Sequence, residues 1–319
     1  IIMAGYDPNV ELLGISTVAG NQTVEKTTKN AIKTLYLAGI KGVPVFCGQS
    51  VPMLRRSLVC PEIHGTTGLN LPEDSNEELQ QAYYNISPDQ KPGEGKAVLK
   101  MFETISNSFK KGTKVSVAST GCLTNLALLL ILFPEVKEMI EEIVIMGGCI
   151  GVGNINPGAE FNILLDPEAA KIVFDAQLPL VMVPLECTHT VCFTPLIRET
   201  VEKTKTPFME TMSELMRFFA DTYKNVFGFD YPPVHDPVAV FRLIYPQFFT
   251  EEKMRVEIDT TSSLSPGRTV CDIFHMSDEP KNVTVTKAVE VEEFWKVMVA
   301  CMEKASAASP FKIPPKGSN

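Results

Sequence analysis

The chain has 319 residues, 45% of them hydrophobic, with a formal net charge of −9 and a pI near 5.1. That apolar content can bury a sizeable core in one large domain or two small ones. An acidic chain without a long run of lysine or arginine repels a phosphate backbone, which argues against a nucleic-acid polymer as partner.

In chain order, the residues before Tyr6 read as the end of an apolar helix that feeds a strand at 11–17, so the expected fold is entered one strand late. A helix is predicted over 24–38 and a strand over 43–47. The polar stretch 60–92 reads as a long inserted loop. Helices over 95–110 and 122–133 flank a strand at 114–119, and a further strand is predicted at 142–146. Asp166 is placed to cap a helix over 166–175, with Pro167 at its first position, ahead of a strand at 178–184. Strands at 254–259, 268–273 and 282–291 and a helix containing Trp295 follow. The alternation predicts an α/β fold, an open and mostly parallel central sheet flanked by helices, in one domain over 1–304. Residues 305–319, with Pro310, Pro314 and Pro315, are expected to be a disordered tail.

No apolar run reaches the roughly 18 residues that a bilayer-spanning helix needs, the longest being 126–133 and 178–185, and no membrane partner is expected. The eight cysteines lack CxxC spacing, so they read as reduced thiols of a cytoplasmic protein rather than as a zinc or disulfide framework.

Ligands of open parallel sheets bind beyond the carboxyl ends of the strands, so polar residues just after each strand are the candidates. Asn21 follows the first strand and Thr120 ends the third. After the fourth come Met146, the glycines Gly147 and Gly148, then Asn154, Glu160, Phe161 and Asn162. Amide and carboxylate oxygens at this density suit the hydroxyls of a polyol such as ribose, although any one Asn or Gly can simply make a turn. His235 beside Asp236 before a helical stretch pairs a titratable imidazole with a carboxylate that can cap the helix or ligate a metal. His64, between glycine-permitted bends in the long loop, fits a mobile lid, and His189 follows the fifth strand. The aromatics Tyr223, Phe227, Phe229 and Tyr231 can stack on a base or pack their own loop.

In order, 13–21 (Leu-Gly-Ile-Ser-Thr-Val-Ala-Gly-Asn), 120–125 (Thr-Gly-Cys-Leu-Thr-Asn), 159–162 (Ala-Glu-Phe-Asn) and 233–237 (Pro-Val-His-Asp-Pro) resemble the inosine-uridine-preferring nucleoside hydrolase family. The likeness runs from the first residues to about the final helix and is nearest the fungal uridine-hydrolysing branch. It implies a Rossmann-like nucleoside hydrolase fold, hydrolysis of the N-glycosidic bond of uridine or inosine, a small-molecule nucleoside as partner, and a homodimer or homotetramer. It also implies a calcium ion, ligated here by Asp236 and the Thr120 carbonyl, that holds the ribose hydroxyls and the attacking water. Asn154, Glu160 and Asn162 would grip ribose with Asn21 beside them, Met146 would pack near the sugar, and His235 and His64 would serve the departing base. The family's D-x-D-P-G-x-D-D strand-end motif is absent from this sequence and is expected a few residues before Ile1. Most calcium carboxylates and the water-activating aspartate are then expected to be missing, and the chain as given to be inactive. A ribose- or nucleoside-binding protein that retains only the sugar contacts is the alternative. The glycines at 147–153 do not form G-x-G-x-x-G, and Asn154 follows instead of a helix start, which disfavours a nicotinamide-dependent enzyme.

Overall fold

The structure is a computed structural model that describes residues 1–313. It begins with α1 (Ile2–Tyr6), β1 (Ile15–Ser16), α2 (Val24–Leu37) and β2 (Val45–Phe46). The long connection that follows carries α3 (Pro61–His64) and α4 (Glu77–Tyr84). Then come α5 (Ala97–Lys110), β3 (Val115–Ser119), α6 (Thr124–Leu132), β4 (Ile140–Met146), α7 (Phe161–Leu165), α8 (Pro167–Phe174) and β5 (Leu180–Val183). The short α9 (Leu185–Thr188) leads to α10 (Pro195–Glu202), α11 (Pro207–Phe227) and α12 (Asp236–Ile244). The chain ends on β6 (Phe249–Met254), β7 (Val256–Ile258), β8 (Thr269–Cys271), β9 (Val283–Val289) and α13 (Val291–Ala308).

Five strands form the central sheet in the order β3-β4-β5-β9-β6, parallel except for the antiparallel β9–β6 pair. The fold class is the α/β arrangement expected. β5 and the carboxyl half of β4, Ile143 to Met146, are apolar throughout because helices cover both faces. Val144, Met146, Val181 and Val183 point into one core with Phe241 and Phe294, while Ile143, Ile145, Leu180 and Met182 point into the other with Leu126 and Val173. That alternation is the two-residue period of a strand expressed as two separate cores.

β1 and β2 form a parallel pair of their own, with Ile15 opposite Val45 and Ser16 opposite Phe46. Among the described residues they make no ladder with the five-stranded sheet. Side chains join the two parts. Asn125 donates to the Thr17 carbonyl at 2.8 Å and accepts from the Gln49 N–H at 2.9 Å, and the Cys122 thiol reaches the Ala19 carbonyl at 3.2 Å. The 120–125 motif therefore ties strand ends together as well as lining the site.

Three local expectations are corrected. Asp236 does not cap α12: it is the first residue of the helix, the cap position is His235, and no side chain caps that end. The final helix runs through Ala305 to Ala308, and Phe311 is buried, because both still have the first core to pack against. Residues 305–313 are thus part of the fold, and the remainder of the expected tail, with Pro314 and Pro315, lies outside the described residues. The strands predicted at 11–17 and 43–47 shrink to two residues each, since only that stretch finds a partner. Among the described residues no helix is long and apolar enough to cross a membrane.

Candidate active site

One cavity is lined by Asn21, His64, Thr120, Met146, Asn154, Glu160, Phe161, Asn162, His235 and Asp236, all of them candidates from the sequence, whereas Phe229 and Tyr231 lie outside its wall. Cys60, Ile63, Ile155, Tyr223 and Phe227 complete its wall. The cavity lies at the carboxyl ends of β3 and β4, where the strand-end rule places ligands.

One side is built almost entirely from the segment after β4. Glu160 sits at the N-terminal cap of α7, where free backbone N–H groups gather. Its Oε1 accepts from Asn162 at 2.9 Å, and its Oε2 accepts from Gly148 at 3.0 Å and Ile163 at 3.2 Å. A carboxylate offers about four acceptor positions, so one remains, on Oε1, for a hydroxyl. Burial pushes the Glu160 carboxyl up to about 7, against the pull of those three N–H groups. Asn162 spends its amide donor on the Met146 carbonyl at 3.1 Å, which leaves its Oδ1 for a ligand. Asn154 does the reverse: its Oδ1 accepts from Phe161 N–H at 2.9 Å, which leaves its amide as donor. Glu186 of α9 holds the start of this loop, accepting from Ile150 at 2.9 Å and Gly151 at 2.8 Å.

The other side is aromatic and comes from distant parts of the chain. The Nε2 of His235 lies 2.7 Å from the Tyr223 hydroxyl, and its Nδ1 lies 2.8 Å from the Thr188 hydroxyl. Burial, reinforced by His189 and His64, pushes the His235 imidazole down to about 3 and keeps it neutral. His189 is not part of the cavity wall; it stands behind His235, ring centroids 5.5 Å apart, and packs edge-on against Phe229. His64 meets Phe219 edge-on, and burial lowers it to about 4. Asp236 is open to the cavity yet enclosed by protein, and the loss of solvation pushes its carboxyl up to about 6.

The loop that carries His64 is fastened rather than loose. Gln22, just before α2, and Lys26 and Asn30 on it follow one another at four-residue spacing and donate in succession to the carbonyls of Gly65, Thr66 and Thr67, at 2.8, 2.7 and 2.9 Å. Gly65 and Gly68 take positive φ, and a Cβ on Gly68 would collide with Asn30. Farther along, Arg217 of α11 pairs with Asp74 and Glu214, and Ser75 donates to Glu214.

Asp236 and the Thr120 carbonyl, the two donors expected for calcium, do not by themselves complete its shell. Calcium takes about six to eight oxygen ligands, whereas Asp236 and the Thr120 carbonyl are the donors expected here. Among the described residues, no three His, Cys, Asp or Glu side chains are grouped to hold a metal.

A family model described as inosine-uridine preferring nucleoside hydrolase matches residues 1–296. The chain belongs to this family. This nucleoside hydrolase is 44% identical over 314 residues to a "Probable ribonucleoside hydrolase" of Dictyostelium discoideum, covering 95% of this chain and 90% of that one. It is 36% identical over 304 residues to the pyrimidine-specific ribonucleoside hydrolase RihB of Escherichia coli, covering 95% and 92%. Among solved structures, the purine-preferring ribonucleoside hydrolase from Gardnerella vaginalis superposes with a TM-score of 0.83 at 26% identity, over 96% of this chain and 94% of that one. Those names span both classes of base, so membership of the family does not fix base preference.

Sequence reasoning missed the partnership of Thr188 and Tyr223 with His235. Thr188 had a visible signal, a polar residue just after the fifth strand. Tyr223 had none, because it lies inside a long helix and was nominated only as one of four aromatics that could stack.

Proposed function

We propose that this nucleoside hydrolase cleaves the N-glycosidic bond of ribonucleosides, uridine or inosine, to give ribose and free base. The observation that carries the reading is a single cavity whose wall holds both the hydroxyl-binding groups Glu160, Asn162 and Asn154 and a neutral His235–Tyr223 pair among aromatics. Glu160, Asn162 and Asn154 would orient the ribose, with Asn21 at the rim and Met146 and Phe161 beneath it. As the bond to the base lengthens, positive charge gathers on the sugar and negative charge on the base. Glu160 and Asp236 lie on the sugar side of that separation, and His235, Tyr223 and His64 on the base side, where donors stabilise the departing group.

For a divalent cation such as calcium this chain offers Asp236 and the Thr120 carbonyl, which alone fall short of its ligand requirement. A second reading, carried by the hydroxyl-binding groups Glu160, Asn162 and Asn154 alone, is that the cavity binds nucleosides without cleaving them. Release of reducing sugar from uridine and inosine, measured beside calorimetric titration of the same nucleosides, separates the two. Binding with release supports hydrolysis, binding alone supports the second reading, and absence of both removes each. A cytoplasmic location agrees with the eight cysteines being free thiols, and a homodimer or homotetramer is checked by light scattering.

A further inference from the structure

Thr188 is fully buried at the end of α9, and its hydroxyl lies within hydrogen-bond distance of two atoms. One is Nδ1 of His235 at 2.8 Å, and the other is the Leu185 carbonyl at 3.3 Å. The Leu185 carbonyl already accepts the His189 N–H at 2.8 Å. A hydroxyl carries one proton, and the shorter contact to an otherwise unserved nitrogen is where it is best spent. A neutral imidazole that accepts at Nδ1 carries its own proton on Nε2. That Nε2–H then meets the Tyr223 oxygen at 2.7 Å, and the Tyr223 proton is left to point into the cavity that Tyr223 lines.

We propose that Thr188 is a positioning residue that fixes the Nε2-protonated tautomer of His235, so that Thr188, His235 and Tyr223 form a one-way donor chain ending in the cavity. The chain has a chemical consequence. Its last donor faces the end of the cavity assigned to the base, so it favours a leaving group that gathers negative charge on an atom with a lone pair. Reversed, with Tyr223 donating to Nε2 and His235 donating to Thr188, the cavity would meet only the lone pairs of the Tyr223 oxygen, which oppose that charge. The tautomer itself does not depend on what the protein cleaves; only its catalytic consequence rests on the nucleoside-cleaving reading.

The test is the nitrogen NMR spectrum of the full chain labelled at its four histidines, with His235 identified by its loss in His235→Gln. The expected pattern is an unprotonated Nδ1 and a protonated Nε2. Thr188→Val keeps the shape of the side chain but removes the donor, and should move His235 toward a mixture of tautomers, while Thr188→Ser should restore the original pattern. In uridine hydrolysis, Thr188→Val should lower kcat by about tenfold with KM changed less than about twofold, as expected for a group acting on proton donation rather than on binding. A protonated Nδ1 in the unsubstituted chain overturns the proposal, and so does a tautomer unchanged by Thr188→Val. Should Thr188→Val fail to fold, the unsubstituted spectrum still decides. Absence of uridine hydrolysis in the unsubstituted chain would count against the nucleoside-cleaving reading and leave the tautomer measurement standing.

Discussion

The two groups of residues that line the cavity, those proposed to hold the sugar and those proposed to serve the base, are built on different principles. At the sugar end, Glu160, Asn162 and Asn154 lie within nine residues and are held by backbone N–H and carbonyl groups of their own segment. At the base end, His64, Thr188, Tyr223 and His235 come from widely separated segments, and the polar contacts of His235 are to other side chains. Backbone partners are supplied by the local fold and survive most substitutions nearby. Side-chain partners are lost one substitution at a time, so the base end should be the more fragile in activity and the sugar end the more costly to unfold.

Kinetics should show the largest contrast. His235→Ala is expected to lower kcat for uridine by about 100-fold or more, and Tyr223→Phe by roughly tenfold, within the usual range of positioned proton donors. Steady-state rates check this, and a His235→Ala variant with unchanged kcat would remove His235 from the reaction.

Glu160→Gln should act on both stability and rate. An amide cannot accept all three N–H bonds that Glu160 receives, and its own NH2 must face one of those donors. The expected loss is about 1–3 kcal/mol of stability, measured by urea unfolding, together with a fall in kcat larger than the change in KM.

The dependence of stability on pH should have opposite signs at the two ends. Glu160 is held near 7, above the ordinary carboxyl value of 4.5, so the folded state binds its proton more tightly. Its contribution is fully present below about 4.5 and is lost as the pH rises through 7. His235 and His64 are held near 3 and 4, below the ordinary 6.5, so their contribution is present above 6.5 and is lost as the pH falls toward those values. Between pH 4.5 and 6.5 the two ends therefore pull in opposite directions. Glu160→Gln should make stability rise more steeply with pH, and His235→Gln should flatten that rise. Unfolding midpoints across pH 4 to 8 decide, and parallel curves for both variants would refute the division.

Smaller effects belong to the fastening of the His64 loop. Asn30→Ala removes one exposed hydrogen bond, and Lys26→Met removes the bond to the Thr66 carbonyl together with one to Gln22, each worth under about 1 kcal/mol, yet hydrogen exchange at residues 65–67 should quicken while exchange in β4 and β5 stays the same. Smallest of all is the response to calcium. With no three His, Cys, Asp or Glu side chains grouped among the described residues, the thermal midpoint should differ between calcium and chelator by less than about 1 °C, because an ion stabilises a fold only through a site made in the folded state.

Much of the architecture is written in local pattern. The apolar runs that became β4 and β5, the Asp166–Pro167 helix start and the cluster from Met146 to Asn162 are all short-range features, and the structure places each where its pattern put it. Asp166 indeed accepts from Ala169 N–H at 3.1 Å. Other features depend on residues far apart in sequence. Neither the donors from Gln22 and α2 to the His64 loop, nor Asn125 joining Thr17 to Gln49, nor Thr188 meeting His235 across 47 residues leaves a periodic trace. Strand and helix periods record which backbone groups pair nearby and which face is apolar, so the sequence alone determined the α/β layering and the sugar-side cluster. The direction of a side-chain hydrogen bond is settled only when distant elements pack, so the tertiary structure decided the loop's fastening, the Tyr223 partnership and the geometry around His235.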